Sequence, residues 1–250
     1  MRVFNYLEAV TEAQTTEELW EMHSQRMASY GFDRIMYGFT RYMTESSLGD
    51  PQDLILLTNH DPEYANYFME NGLYFHAPMV NWARHNDGAA SWDVIRQMED
   101  ACLISASERK VLKFNQKHGV TAGYTISFKS ISFRSKGAIA LTAERGVSQA
   151  EIDAVWAEHG REITLLNNIA HLKIITLPFP GARPLTRRQR EVLEWVGDGK
   201  TTQDIATLLG LTIATVEKHL RLAREALDVE TTAQALLKAS FQNQMFVMEA

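Results

Sequence analysis

The sequence has very little cysteine and no long apolar segment. A single cysteine, Cys102, occurs in 250 residues, so neither an intrachain disulfide nor a cysteine-based metal site can form. This usage is typical of a reducing compartment. No apolar run approaches the roughly 18 residues that span a membrane. The N-terminal residues turn acidic where a secretory signal would be apolar, so the sequence predicts no export signal, no membrane partner and a cytoplasmic location.

The sequence motifs of common enzymes and metal sites are also absent. No GxSxG, HExxH or GxGxxG pattern occurs, and the eight histidines lack metal-ligand spacing. Gly199-Lys200-Thr201 resembles the end of a phosphate-binding loop, but that loop requires a glycine where this chain has Glu194. The sequence therefore predicts no catalytic residue, no metal and no cofactor.

Positive charge is scarce, with 25 Lys+Arg against 31 Asp+Glu and a net charge of −6. An acidic total argues at first sight against a nucleic-acid partner. The apolar fraction of 45% and the charged fraction of 22% are close to globular averages, so the chain can bury a core. The charge has to be examined separately for each part of the chain.

Proline is rare except in one segment. Three of the six prolines, with one glycine, fall in LPFPGARPL, Leu177–Leu185. Such a segment continues neither a helix nor a central strand. The sequence predicts a linker over 177–184, between an N-terminal domain over 1–176 and a C-terminal domain over 185–250.

Helices and strands alternate before the linker. Thr15 or Thr16 caps a predicted helix that runs to about Tyr30, and Ser148-Gln-Ala-Glu151 is a capping box that opens a long helix. We expect an α+β fold with helices packed around one sheet. The predicted strands are 34–43, 54–57, 121–131 and 137–143, and further helices are 62–71, 79–85 and 106–117.

The pattern after the linker predicts a small all-α domain with its own charge balance. Residues 1–181 hold 16 bases and 22 acids, whereas residues 182–250 hold nine of each. The segment Arg183–Arg224 has eight bases and five acids, which gives the local positive charge that phosphate contact requires. The predicted helices are 187–196, 202–209, 213–226 and 232–241, without a strand.

Two of these helices have the pattern of a helix-turn-helix. Gly210 follows the first helix, where left-handed geometry is needed, and Thr212 is placed to cap the second. The second helix buries one stripe and presents a polar face. Periodicity alone fits both a DNA-recognition helix and a structural helix pair. The stripe consists of Val216, Leu220, Ala223 and Leu227, and the polar face of Thr215, Glu217, Lys218, Arg221 and Arg224.

The whole segment Leu185–Leu227 resembles the LuxR-type helix-turn-helix domain. The match includes the Gly199-Lys200-Thr201 turn, Ile205-Ala206, Thr215-Val216 and His219-Leu220. The resemblance implies double-stranded DNA as a partner and places Glu217, Lys218 and Arg221 at base-contacting positions. An arginine can grip guanine bidentately and a glutamate can accept from cytosine. Residues suited to phosphate contact are Lys200, Thr201, Thr212, Thr215 and Arg224.

This segment departs from the family pattern at two positions. Gln189 stands where the family usually has glutamate. Ala226 stands where a lysine commonly precedes the last leucine, so one phosphate contact is expected to be missing. Neither change is expected to disturb the fold.

The N-terminal domain resembles the acyl-homoserine-lactone-binding domain of quorum-sensing LuxR-type regulators. The resemblance rests on GFDRIMYG (31–38), NHDPEY…F…APMV (59–80), Trp92 and HGVTAGYTI (118–126). It implies an α/β/α sandwich that encloses a small-molecule signal beside an antiparallel sheet. The opening MRVFNYLEAV lacks the acidic pair of a phosphoacceptor receiver domain. The family also implies a homodimer on two-fold DNA sites.

The residues that recognise the lactone in this family are only partly present. Trp92 and Gly123 match, but Tyr64 replaces a tryptophan, Phe68 a tyrosine and Ala77 the aspartate that accepts from the ligand amide. A buried amide donor without an acceptor costs about 1–3 kcal/mol. The usual recognition of the lactone is therefore not encoded.

Other polar residues offer partial compensation. His60 lies four residues before Tyr64, and Thr142 on the last strand has the alternation of an inward residue, although both also fit ordinary packing. One hypothesis is an acyl- or aroyl-homoserine lactone held by rearranged contacts. The other is an orphan regulator that binds a different apolar molecule or none, and a lactone-processing enzyme is a distant alternative. The surfaces expected in a homodimer are the long helix 149–175 and the last helix, through Ala235, Leu236, Ala239 and Phe241.

Overall fold

The computed structural model describes residues 3–45, 47–130, 132–179 and 184–246. The chain divides into two compact units, Met1–Ile175 and Thr176–Ala250. The first unit begins with helices α1 (Val3–Glu12) and α2 (Thr16–Ala28). Thr15 caps α2 by accepting a hydrogen bond from Glu18 N, as the sequence predicts. Helix α1 was not predicted.

The core of the first unit is one antiparallel sheet with strand order β2-β1-β5-β4-β3. Neighbouring strands are joined in register, for example Gly38 with Ala138 and Thr125 with Ala140. The α+β prediction is confirmed. The strands are β1 (Arg34–Thr40), β2 (Ile55–Thr58), β3 (Gly88–Ser91), β4 (Gly123–Phe128) and β5 (Lys136–Thr142).

Helices cover both faces of this sheet, which makes the predicted α/β/α sandwich. On one face, Tyr37 of β1 is buried and its hydroxyl lies 2.8 Å from Nδ1 of His171 on the long helix α7. The opposite face meets the shorter helices between β2 and β4. These helices are α3 (Pro62–Glu70), α4 (Pro78–His85), α5 (Asp93–Asp100) and α6 (Ala106–Lys117), and α7 spans Gln149–Ile174.

Side chains along the central strands alternate between the two faces. In β1, Ile35, Tyr37 and Phe39 are buried, while Met36 and Gly38 between them are half-buried. The same alternation occurs in β5. Because successive residues of a strand point to opposite sides, one set forms the core and the other remains available to the shorter helices.

Long-range hydrogen bonds hold the outer helices to α7. His23 of α2 is fully buried, and its Nε2 lies 3.0 Å from Oδ1 of Asn167 on α7. The other ring nitrogen lies 2.6 Å from the hydroxyl of Tyr6 on α1. The predicted capping box at the start of α7 is present, with Ser148 accepting from Glu151 N.

The second unit is helical throughout its described residues, as predicted. Leu193, Ile205, Val216, Leu220 and Ala235 form its core. Part of the predicted linker packs within this unit, because Phe179 N donates to Gln242 O at 3.0 Å. Residues 180–183 lie outside the described ranges. The helices are α8 (Arg187–Gly197), α9 (Thr202–Leu209), α10 (Ile213–Ala226) and α11 (Thr232–Phe241).

The structure differs from the sequence predictions mainly at strand ends and in short elements. The predicted strand 34–43 ends at Thr40, and the predicted strand 121–131 starts at Gly123 and ends at Phe128, with Ile131 outside the described residues. The short elements β3 and α5 were not predicted. No helix within the described ranges is long and apolar enough to cross a membrane.

Candidate functional site

A cavity of about 580 Å³ lies in the first unit between the sheet and the shorter helices. Its floor consists of small side chains, since Gly38 of β1 and Ala138 and Ala140 of β5 all line it. No atom lies within 4 Å of the position that a Cβ on Gly38 would take. The lack of large side chains at the centre of the sheet therefore creates the space.

A stack of rings from α3 and the residues before it forms one wall. His60, Tyr64 and Phe68 follow one another at four-residue spacing and all line the cavity. The ring centroids of His60 and Tyr64 are 4.7 Å apart, and those of Tyr64 and Phe68 are 5.7 Å apart. Phe114 of α6 stacks on the other side of Tyr64 at 5.2 Å. This packing fixes the wall in one orientation.

The two hydrogen-bond donors in the aromatic lining are used inside the protein. The Tyr64 hydroxyl donates to Asn115 Oδ1 at 3.0 Å, and burial raises the pKa of Tyr64, which keeps this hydroxyl protonated. Trp92 Nε1 donates to Thr125 Oγ1 at 2.9 Å. Both donors are therefore satisfied without a ligand, and the wall presents its ring faces.

His60 and Thr142 meet at the cavity, as their selection as candidate residues requires. Thr142 Oγ1 lies 3.4 Å from His60 Nε2, and both residues are buried. Burial, helped by the charge of Arg34, lowers the pKa of His60 to about 4. At neutral pH this ring is uncharged and can accept one hydrogen bond.

Ala77 lines the cavity at the residue that caps α4. Its methyl group provides no side-chain hydrogen bond to this helix start, and Pro78 follows in the first turn. An aspartate at this position would supply both a helix cap and an acceptor facing the cavity. The alanine supplies neither.

Gly123 does not line the cavity, which distinguishes it from the other six candidate ligand residues. A Cβ on Gly123 would lie 2.1 Å from Leu141 O and 3.2 Å from Trp92 Cη2. Gln149 holds the same backbone from α7, since Gly123 N donates to Gln149 Oε1 at 2.9 Å. Gly123 allows Trp92 and the strands to approach closely, so its position affects the cavity only indirectly.

Sequence analysis missed most of the aliphatic lining. The alternation in RIMYGFT, residues 34–40, indicates two faces but does not indicate which one borders a cavity. Helix α5, which was not predicted, contributes Ile95. Further lining residues that were not selected are Met36, Leu48, Leu54, Leu56, Met69, Tyr74, Met79, Val80, Leu112, Val120 and Thr125.

The helix-turn-helix of the second unit has the geometry that the sequence predicts. Helix α9 ends at Gly210, which has φ 64° and ψ 34° in the left-handed region. Thr212 caps α10 by accepting from Thr215 N. Val216, Leu220 and Ala223 of α10 are buried against the other helices. This packing fixes which side of α10 faces solvent.

The three residues chosen for base contact lie on that exposed side. Glu217, Lys218 and Arg221 are all exposed. Arg221 Nη1 lies 2.5 Å from Glu225 Oε1, one turn further along the helix. This exposed ion pair is of the kind that contributes about 0.3–0.5 kcal/mol, so Arg221 can exchange it for another acceptor at little cost.

The residues chosen for phosphate contact fall into three environments. Lys200 is exposed in the turn before α9. The hydroxyls of Thr201 and Thr212 are engaged in capping, with Thr201 Oγ1 donating to Asp204 Oδ2 at 2.7 Å and Thr212 Oγ1 lying 2.9 Å from Thr215 Oγ1. Arg224 Nη1 donates to Thr232 Oγ1 at 3.1 Å, so this guanidinium is held toward α11.

Two apolar residues at the start of α10 were not selected from the sequence. Ile213 and Ala214 are exposed beside the polar face of this helix. Apolar side chains of this kind can contact the methyl group of thymine. The helix periodicity marks them as outside the buried stripe, which is the signal that could have found them.

The departure at Gln189 preserves its local role. Gln189 is buried, and its Oε1 accepts from Thr186 N at 2.8 Å in a capping box at the start of α8. Glutamine and glutamate both serve at this position of the box. Among the described residues, no group of three or more His, Cys, Asp or Glu side chains is arranged to hold a metal ion.

Comparison with known families gives two matches that together cover most of the chain. Residues 15–174 match the autoinducer binding domain. Residues 183–239 match the luxR family of bacterial regulatory proteins. The matched families and relatives are transcriptional regulators rather than enzymes.

Individual relatives are distant but extend over both units. The transcriptional activator protein LuxR of Aliivibrio fischeri is 24% identical over 192 residues, which cover 75% of this chain and 73% of the relative. The crystal structure of Escherichia coli SdiA has a TM-score of 0.54 at 15% identity and covers 98% of both chains. A structure of SdiA in complex with octanoyl-rac-glycerol has a TM-score of 0.50 at 16% identity, covering 98% of this chain and 96% of the other. These structures share the fold.

Proposed function

Because the chain belongs to the LuxR family of bacterial regulatory proteins and carries an autoinducer-binding domain, we propose that a small apolar molecule in the cavity controls its binding to DNA. Residues 1–176 are the sensor in this proposal, 177–184 the linker and 185–250 the DNA-binding domain. The observation that carries it is the cavity of about 580 Å³ with ring faces and aliphatic side chains in its lining. Ligand pockets commonly have volumes of about 300–1,000 Å³.

The lining favours a ligand other than a homoserine lactone held in the usual way. Ala77 provides no acceptor for an amide, and Tyr64 and Trp92 already donate to Asn115 and Thr125. In a structure of the same fold, SdiA is in complex with octanoyl-rac-glycerol, which has no lactone ring. An acyl- or aroyl-homoserine lactone held through neutral His60 and Thr142 is the alternative ligand.

The proposed contact with DNA uses the exposed side of α10. Arg221 reads a guanine through O6 and N7, and Glu217 accepts from a cytosine amino group. Lys218 provides a third base contact. The phosphate contacts that fix the register come from Lys200, Thr201, Thr212, Thr215 and Arg224.

A homodimer is part of the proposal because the DNA sites of such modules are two-fold symmetric. Leu165 and Leu172 of α7 are 52% and 60% exposed and lie seven residues apart, so they share one side of the helix. Leu237 of α11 is 54% exposed and offers a second contact. Sedimentation of the full chain tests this state, and a monomer at micromolar concentration contradicts it.

Two experiments test the proposed function. Mass spectrometry of an organic extract of the purified chain, with thermal unfolding against a panel of lactones, identifies the ligand. Stabilisation by a lactone favours the alternative ligand, and the absence of both extract and stabilisation contradicts a sensing role. Selection from a random DNA library tests recognition. We expect enrichment of a two-fold site with half-sites about 34–36 Å apart.

A further inference from the structure

The cavity lining has much more positive than negative charge. Glu99 is the only acid among the described residues that line it. The surrounding part of the sequence is acidic, with 16 bases and 22 acids in residues 1–181. The positive charge is thus concentrated at the cavity. The basic lining residues are Arg84, Arg96, Arg109, Lys113 and Lys136.

Three of these bases have partners in the protein. Arg84 donates to a backbone carbonyl, and Arg96 and Lys136 pair with carboxylates. The acceptors are Glu45 O at 2.7 Å, Asp93 Oδ1 at 3.4 Å and Asp87 Oδ1 at 2.8 Å, respectively.

Arg109 and Lys113 form a different pair. Arg109 donates only a 3.3 Å bond to Ile104 O, and within the described ranges neither residue has a carboxylate at salt-bridge distance. Both are exposed on α6 and are one turn apart. With Leu112 and Gln116 they make up the side of α6 that borders the cavity. We call Arg109 and Lys113 the α6 cation pair.

The deep end of the cavity has no charge available for an anion. His60 is neutral there, because burial lowers its pKa to about 4. Arg34 nearby is already engaged with Asp33 Oδ1 at 3.0 Å and with Ala143 O at 2.6 Å. A carboxylate buried without a partner is strongly disfavoured. An anionic group can therefore be accommodated at the rim and not beside His60.

We propose that the ligand of this cavity is an amphipathic carboxylate, with its apolar part in the cavity and its carboxylate on the α6 cation pair. This inference rests on the proposed function, because it assumes that the cavity binds a small molecule. The apolar part lies between the rings of Tyr64 and Phe68 and the small residues of β1 and β5. Charged hydrogen bonds from guanidinium and ammonium groups then select the carboxylate over a neutral head group.

Calorimetric titration of the full chain with three eight-carbon probes tests the selection. Octanoate, methyl octanoate and 1-octanol share the apolar chain and differ in the head group. We expect octanoate to bind about tenfold more tightly than either neutral probe, as two charged hydrogen bonds would give. The preference decreases with added salt, because the rim is exposed to solvent.

Paired variants locate the selection on α6. Arg109→Gln with Lys113→Gln is expected to remove the preference for octanoate and leave binding of 1-octanol unchanged. Lys110→Gln with Lys117→Gln removes the same charge from the same helix at residues that do not line the cavity, and this variant is expected to keep the preference. Equal binding of the three probes, or an unchanged preference in the first variant, overturns the carboxylate assignment but not the proposed function. Absence of binding by every probe, with no extractable ligand, overturns both.

Discussion

Gly38 of β1 is paired across the sheet with Ala138 of β5, and a side chain on Gly38 would enter empty space. The cavity at the centre of the sheet depends on these two small residues. A glycine in a strand interior is otherwise unfavourable by roughly 0.5–1 kcal/mol relative to alanine. The relation implies that stability has been exchanged for space to bind a ligand.

Gly38→Val is expected to stabilise the ligand-free chain and to weaken ligand binding. The added side chain suits a strand and fills space in the cavity, so we expect the free energy of unfolding to rise by about 1 kcal/mol. Urea unfolding, with calorimetry of the extracted ligand, measures both effects. Gly137→Ala is the matched control, because its Cβ would lie 3.0 Å from His171 Cε1 and 3.1 Å from Phe39 Cδ2, so this change should destabilise. Destabilisation by Gly38→Val would contradict the packing account.

Ala77→Asp is expected to give the cavity a lactone-type acceptor. The carboxylate would cap α4, which is worth about 0.5–2 kcal/mol, and would face an amide donor of a bound ligand. We expect thermal stabilisation by an acyl-homoserine lactone to increase relative to the unchanged chain. Ala77→Asn separates the two effects, since it caps the helix without a charge. If Asp and Asn variants both fail to increase the lactone response, the assignment of Ala77 to ligand recognition is wrong.

The stability of the chain is expected to fall in mild acid because of three buried histidines. Burial is the first cause in each case and lowers the pKa of His23, His60 and His171 from 6.5 to about 4. Between pH 6.5 and 4 the unfolded chain binds more protons than the folded chain, so stability decreases as pH falls. Each group contributes up to about 1.4 kcal/mol per pH unit in this window.

His23 shows the structural reason for this sensitivity. Asn167 donates through Nδ2 to Ile163 O, so its Oδ1 faces His23 as an acceptor and His23 Nε2 carries the proton. The other ring nitrogen then accepts from the Tyr6 hydroxyl at 2.6 Å. Urea unfolding at several pH values measures the slope. A free energy of unfolding that stays constant from pH 6.5 to 4.5 would falsify this prediction.

Arg221→Ala and Lys200→Ala are expected to affect DNA binding in different ways. Loss of Arg221 should remove discrimination at one base position of each half-site, at a cost of about 1–3 kcal/mol on the preferred sequence. Loss of Lys200 should weaken all sequences similarly and reduce the salt dependence by about one unit per contact. Binding assays on a set of single-base operator variants at two salt concentrations distinguish the two. Full discrimination in the Arg221 variant removes that residue from base reading.

The overall fold was predictable where the sequence pattern was strong. The capping boxes and apolar stripes located α6, α7 and α8–α11 closely, because local chemistry determines those helix starts. Helix α5, DVIRQMED, was missed because it is mostly polar and none of its residues is buried. Strand β3, GAAS, has weak strand propensity and is formed by pairing with β4, which the sequence does not reveal.

The cavity was predictable in part, through resemblance to the family. Six of the seven candidate ligand residues line it, whereas Gly123 supports Trp92 from behind. A resemblance does not distinguish a residue that faces a ligand from one that lets neighbours approach. The floor at Gly38 and Ala138 was missed because a cavity depends on which sheet face the helices leave open, and that depends on tertiary packing.

The dependence of DNA binding on the cavity is the central claim of this account. The most direct test is the dissociation constant for the selected DNA site, measured with and without the organic extract of the purified chain, for the unchanged protein and for Gly38→Val. We expect the extract to change the DNA affinity of the unchanged protein by about 1–3 kcal/mol and to have little effect on the variant. Equal responses of the two proteins, or no response in either, would contradict control of DNA binding through this cavity.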